Sequence, residues 1–135
     1  MGAKKNYTVS DWQNAVLVMV STRLGLKKIQ KDYFRSVLYF FMQSFNVGII
    51  GGRPKEAFYF VGLQGEFLVF LDPHVIKDAF GPDIKEIRIN HLRCHEETAK
   101  KLHFTKLDPT MTFCFYLRSH EDYRKFEIFM EQGKK

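Results

Sequence analysis

The sequence has little of what would mark several classes of protein. It holds two cysteines, Cys94 and Cys114, among 135 residues. Two thiols cannot staple a small secreted scaffold, so a reduced, intracellular and cytoplasmic chain is expected. No apolar run approaches the ~20 residues of a membrane-spanning helix; runs such as residues 15–20 and 39–42 fall far below it. The first six residues lack the apolar core of a signal peptide, and Asn6 stands where myristoylation would want Ser or Thr. Acidic residues are in deficit, 15 against 21 basic, which gives a net charge of +6. The basic residues come as scattered pairs (Lys4-Lys5, Lys27-Lys28, Lys100-Lys101, Lys134-Lys135) rather than as one stripe. A solvated surface is therefore the reading, and no nucleic-acid partner is expected. There is no internal repeat and no low-complexity tract.

What is present is hydrophobic bulk. Hydrophobic residues make up 45% and charged residues 27%, with 14 Phe, which suits one globular domain or part of one. Residues 15–20 are short, β-branched and apolar on both faces and read as a buried strand. Asp32 is a candidate cap for a helix reaching about Ser44, with Phe34, Leu38, Phe41 and Phe45 along its core stripe. Residues 46–54 hold three glycines and Pro54, and read as a loop with unusual backbone angles. The apolar runs 58–63 and 67–71 flank Gln64-Gly65-Glu66 and predict a hairpin. Residues 77–106 read as loop with short strands. Residues 112–117 alternate like a strand. Ser119 and Asp122 resemble a capping box before a closing helix that turns Tyr123, Phe126, Phe129 and Met130 inward. Strands mixed with separate helices predict an α+β fold with a mainly antiparallel sheet.

The most unusual combination is Asp72 with His74. Residues two apart on a strand share a face, so Leu68, Phe70, Asp72 and His74 line one face and Phe67, Val69 and Leu71 the other. A carboxylate there could hold an imidazole in one tautomer or stabilise imidazolium, and burial would shift both pKa values. The same residues also fit ordinary turn chemistry at a strand end. Among other candidates, Cys114 sits in an apolar strand and reads as an inert core thiol. Cys94 lies between Arg93 and His95, which could lower its pKa. His91, Cys94, His95 and His103 could gather around zinc, but with no second paired motif they read as surface residues. No metal and no cofactor is expected. Phe126-Glu127-Ile128-Phe129 looks like a short docking motif, but its last position is wrong and its helical context favours core packing.

The order of motifs carries a resemblance. Phe45-Asn46-Val47-Gly48-Ile49-Ile50-Gly51-Gly52-Arg53-Pro54-Lys55-Glu56-Ala57-Phe58-Tyr59-Phe60-Val61-Gly62 is followed by Phe67-Leu68-Val69-Phe70-Leu71-Asp72-Pro73-His74. This resembles the autophagy-related cysteine proteases, the autophagins, which carry a Gly-Gly-Lys-Pro loop and then Tyr-Leu-Asp-Pro-His. Trp12 and Arg23-Leu24-Gly25 upstream, and Leu107-Asp108-Pro109-Thr110 downstream, match the family's flanking segments. The resemblance implies the C-terminal part of a papain-like α+β fold over residues 12–130, between a polar leader at 1–11 and a basic tail at 131–135. It implies that Asp72 and His74 are two members of a catalytic triad, and that Gly51, Gly52, Arg53, Pro54, Lys55 and Glu56 form a regulatory loop over the active site. It implies as partner a ubiquitin-like autophagy modifier, both as free precursor and as lipid conjugate, with membrane proximity only through that lipid.

The family's nucleophile is a cysteine in a Gly-Trp-Gly-Cys setting earlier in a longer chain, and no segment here matches it. After His74 the family continues Thr-Thr-Gln, whereas this sequence has Val75-Ile76-Lys77. The chain is thus expected to be the Asp–His half of a thiol peptidase, inactive alone: a fragment, a truncated gene product, or one part of a two-chain enzyme whose separate N-terminal half carries the nucleophile. The alternative is a non-catalytic module that binds the modifier.

Overall fold

The computed structural model describes residues 12–74 and 100–132. Their elements run β1 (Val16–Arg23), α1 (Phe34–Phe41), β2 (Asn46–Arg53), β3 (Glu56–Gln64), β4 (Phe67–Leu71), β5 (Lys100–His103), β6 (Thr110–Leu117) and α2 (His120–Gln132), with single 3-10 turns at Lys31–Tyr33 and Phe104–Lys106. The six strands form one sheet in the order β1-β6-β2-β3-β4-β5. Every pair of neighbours is antiparallel. This is the α+β arrangement expected. Among the described residues no helix is long and apolar enough to cross a membrane.

Both helices cover the same face of the sheet. The Phe40 ring of α1 meets Phe113 and Phe115 of β6 edge-on, with centroids 5.0 and 5.2 Å apart. Phe126 and Phe129 of α2 pack on Phe115 and on Phe45, the buried residue just before β2. Ile49, Phe60 and Leu68 extend this core along β2, β3 and β4, and Leu102 closes it on β5. Phe126 and Phe129 thus pack against the core as their helical spacing predicts, whereas Tyr123 and Met130, expected on the same inward face, are exposed.

Three expectations are corrected. The helix expected from Asp32 begins at Phe34, because Asp32 sits inside the preceding 3-10 turn and supplies no cap. Val37 and Phe40 are its buried residues, Phe34 and Phe41 pack against the core as expected, and Leu38 is exposed. Residues 15–20 do form a strand, but an edge strand with Leu17 and Met19 more than half exposed rather than buried on both faces. Residues 46–53 are not a loop: they form the strand β2, paired with β6 and β3. The unusual backbone angle expected there occurs at Gly48, and close approach accounts for Gly52. Gly48 lies at φ 103° where the β2–β6 register shifts, and a Cβ on Gly52 would lie 1.9 Å from the Glu56 carbonyl oxygen. Only Pro54 and Lys55 make the turn into β3. Lys55 is left-handed at φ 75°, a conformation that costs a non-glycine residue about 1–2 kcal/mol.

The second face of the sheet carries no helix among the described residues. Leu17, Met19, Ile50, Tyr59, Val61 and Tyr116 stand on it, all substantially exposed. So broad an apolar surface drives association.

Two outcomes follow from this packing. Gly52→Ala should lower stability by about 1–3 kcal/mol, since the added methyl group must displace backbone; chemical denaturation measures it. The chain at micromolar concentration should scatter light as a species heavier than 16.0 kDa, and Leu17→Glu with Met19→Glu should shift it toward monomer. A wild-type chain that is already monomeric would show the face to be covered.

Candidate active site

Asp72 and His74 are brought together by a turn, not by strand alternation as expected. β4 ends at Leu71. Pro73 has no N–H with which to extend the ladder. The Asp72 side chain then closes the turn: its Oδ1 accepts the His74 backbone N–H at 3.0 Å and lies 2.8 Å from His74 Nδ1. Neither side chain is deeply buried, with exposures of 23% for Asp72 and 56% for His74. The upward shift expected from burial is present at Asp72 but outweighed by its hydrogen bonds. Its carboxyl is instead held below the usual aspartate range, first by the His74 backbone N–H and then by the His74 side chain, with a further contribution from the Lys100 charge.

The geometry fixes a tautomer. An ionised carboxylate only accepts hydrogen bonds, so Nδ1 of His74 carries the proton, and the neutral ring keeps its lone pair on Nε2. That is the arrangement of a general base whose partner carboxylate orients it. The turn chemistry and the orienting carboxylate are one and the same structure.

The site sits beside the β2–β3 turn. Phe58 of β3 stacks on Phe70 at 4.1 Å and meets the His74 ring edge-on at 6.4 Å. The Arg53 guanidinium lies 5.9 Å from the centre of the same Phe58 ring. Arg53 also holds Glu56 through two parallel hydrogen bonds of 2.9 and 2.8 Å, which clasp the turn. A shallow, open cleft of about 480 Å³ runs along this edge, lined by Gly52, Arg53, Lys55, His74, Asp108 and Thr110 among others. Asp108-Pro109-Thr110 forms its far wall and repeats the first turn's chemistry: Asp108 Oδ1 accepts the Thr110 backbone N–H at 2.8 Å. The Asp108 N–H donates to the Gly52 carbonyl at 2.9 Å and ties that wall to β2. Of the expected loop residues, Gly51, Gly52 and Arg53 end β2, Pro54 and Lys55 form the turn, and Glu56 begins β3.

The other candidates fall away from this site. Cys114 is buried, and burial pushes its thiol pKa up, the reverse of an activated nucleophile. Cys94, His91 and His95 lie outside the described residues. His103 is engaged through both ring nitrogens, Nδ1 with Thr105 Oγ1 at 2.8 Å and Nε2 with Glu66 at 3.2 Å. No group of three metal-binding side chains occurs among the described residues. Sequence reasoning missed Lys100, whose Nζ lies 3.5 Å from Asp72 Oδ2. Nothing local signals it, because β4–β5 register alone brings it there.

The lowered pKa fixes the pH dependence. Asp72's contribution to the turn is complete above the ordinary aspartate value of ~3.9. It is lost as pH falls through the lower folded value. A carbon-detected NMR titration should place the Asp72 midpoint below the ordinary aspartate range. His74→Ala should raise it only in part, since the residue-74 backbone N–H still donates.

Residues 2–128 match the family described as the peptidase C54 catalytic domain. The chain is 35% identical over 113 residues to cysteine protease ATG4C of Xenopus laevis, covering 84% of this chain and 25% of that protein. It is 35% identical over 111 residues to cysteine protease ATG4C of Homo sapiens, covering 82% and 24% respectively. Against the probable cysteine protease atg4 of Botryotinia fuckeliana (strain B05.10), identity is 33% over 137 residues, covering 98% and 30%. The chain spans about a quarter to a third of the length of these curated relatives. With a six-stranded antiparallel sheet, two helices on one face and this sequence match, the chain belongs to the peptidase C54 family of cysteine proteases and has the α+β fold of its C-terminal part.

Proposed function

We propose that this chain supplies the Asp–His half of a thiol peptidase of the autophagy pathway. In this reading the peptidase cuts a ubiquitin-like modifier after a C-terminal glycine, both in the precursor and in the lipid conjugate. The observation that carries it is the Asp72–His74 hydrogen bond, which leaves Nε2 as a base at the border of an open cleft. The names of the relatives, cysteine proteases, supply the missing chemistry: a thiol.

The reaction would run as follows. Nε2 of His74 takes the proton of a cysteine thiol, and the thiolate attacks the carbonyl carbon of the glycine. The C–N bond breaks, and imidazolium returns the proton to the departing amine. Water then hydrolyses the thioester, with His74 again acting as base. Asp72 stays ionised throughout, holding the ring and balancing the imidazolium charge. The step needs neither metal nor cofactor.

The nucleophile comes from a segment outside this chain, either an N-terminal half as a separate polypeptide or the remainder of a longer one. We assign the same segment to the open apolar face of the sheet. The Arg53–Glu56 turn would then act as the regulatory loop, lifting when the substrate's tail enters.

Complementation tests the proposal. Mixing this chain with the cysteine-bearing remainder of the Xenopus laevis relative should restore cleavage of a modifier precursor and reduce self-association. His74→Ala should then lower kcat by at least about 1,000-fold; retained cleavage would overturn the assignment. If the chain is instead a non-catalytic binding module, it should bind the modifier alone, and His74→Ala should leave that affinity unchanged.

A further inference from the structure

We infer that Lys100 is a positioning residue of the Asp72–His74 pair, anchoring the second oxygen of the carboxylate so that the first stays aimed at the imidazole. The inference rests on the proposed catalytic role of that pair and adds a residue to it.

The argument begins with register. β4 and β5 pair Phe70 with Lys100 and Val69 with Lys101. Cross-strand partners share a face, so Lys100 shares a face with Phe70, and Asp72 lies two residues beyond Phe70 in the same direction. Lys101 is turned to the opposite face, where its Nζ donates to Gln64 Oε1 at 2.9 Å and lies over the Phe67 ring. Two adjacent lysines of equal charge thus have different work, and only one reaches the turn.

At the turn the two carboxylate oxygens of Asp72 are divided. Oδ1 serves His74 twice, through the backbone N–H and Nδ1. Oδ2 faces Lys100 Nζ at 3.5 Å. With different partners on its two oxygens, the carboxylate cannot rotate without losing one of them. The division also keeps Asp72 an acceptor, since the Lys100 charge opposes its protonation. Among the described residues, the other charged groups along this edge are Arg53 and Glu56, paired with each other across the β2–β3 turn, Lys55 within that turn, and Asp108, whose Oδ1 is held by the Thr110 N–H. Lys100 is therefore the cation aimed at Asp72 from a neighbouring strand.

An orienting carboxylate that depends on a cross-strand lysine links the pair to β5. The turn by itself holds Asp72 to His74, and β5 fixes the rotation of the carboxylate.

The test uses the whole 135-residue chain and NMR readouts that loss of packing would not imitate. Lys100→Met should raise the Asp72 titration midpoint. It should also reduce the Nδ1-protonated tautomer of His74, read from the ring-nitrogen shifts. Lys100→Arg should restore both, and Lys101→Met, which removes equal charge from the neighbouring position, should change neither. Should Lys100→Met fail to fold, a salt titration of the wild-type chain asks the same question. Screening of this pair should raise the Asp72 midpoint, and by more than in Lys100→Arg, whose fork holds carboxylate more firmly. An Asp72 midpoint and a His74 tautomer indifferent to Lys100→Met, or in its absence to salt, overturn the inference. Asp72→Asn separates this failure from failure of the pair. If it abolishes the Nδ1 preference, the pair stands and only the lysine's role falls; if it does not, the proposed catalytic reading falls as well.

Discussion

The rest of the structure depends on a layer of phenylalanine rings that seals one face of the sheet. Phe40, Phe45, Phe113, Phe115, Phe126 and Phe129 interlock at centroid separations of 5.0–6.2 Å. Each burial of such a ring stabilises by a few kcal/mol, with about 0.5–1.5 kcal/mol more from edge-to-face geometry. This layer joins both helices to β6, and β6 is flanked by β1 and β2. It holds β2 in the middle of the sheet despite the weak strand propensity of its glycines. Those glycines then allow β3 and the Asp108 segment to come close, and the cleft lies where they meet.

Sealing one face leaves the other to be explained. Among the described residues, no element packs over the apolar face bearing Leu17, Met19, Ile50, Tyr59, Val61 and Tyr116. The cleft's lining includes Ile50, Gly52, Thr110 and Thr112, which belong to that same side of the sheet, together with His74 at its border. The apolar face and the proposed base are thus neighbours. One covering segment could satisfy both, burying the face and delivering a thiol. The share of the relatives' length that this chain spans, 25% for the frog protein, leaves ample polypeptide for that role.

The parts legible in the sequence are those where one pattern has one physical meaning. Alternation across 58–71, broken at Gly65, could only be a hairpin, and β3 and β4 form it. The Asp-Pro-His run announced a strand end with polar chemistry, and both halves of that reading apply at once. Glycine was ambiguous, because a loop and a crowded central strand ask for it for different reasons. Gly52 is there for the Glu56 carbonyl and not for a bend. The α1 stripe was legible in part: Phe34 and Phe41 pack against the core, but packing against β6 selects Val37 and Phe40 as the buried residues and leaves Leu38 outside. Lys100 stayed invisible, since nothing local distinguishes it from Lys101.

The site also shows which parts of a catalytic device can be built without the rest. The contact between Asp72 and His74, two residues apart, is closed by a proline turn and is local, whereas the second carboxylate oxygen faces Lys100 of β5. An activated thiol is different: it needs a polarising environment and a position within hydrogen-bond reach of the base, both supplied from elsewhere in the fold. Cys114 illustrates the point from the opposite side, a thiol of this chain that burial makes less acidic. Under the proposed reading, base and nucleophile therefore have different physical requirements. The Asp72–His74 turn and the Arg53–Glu56 clasp are each closed by residues within a few positions of one another. The nucleophile side determines whether any of that geometry is used.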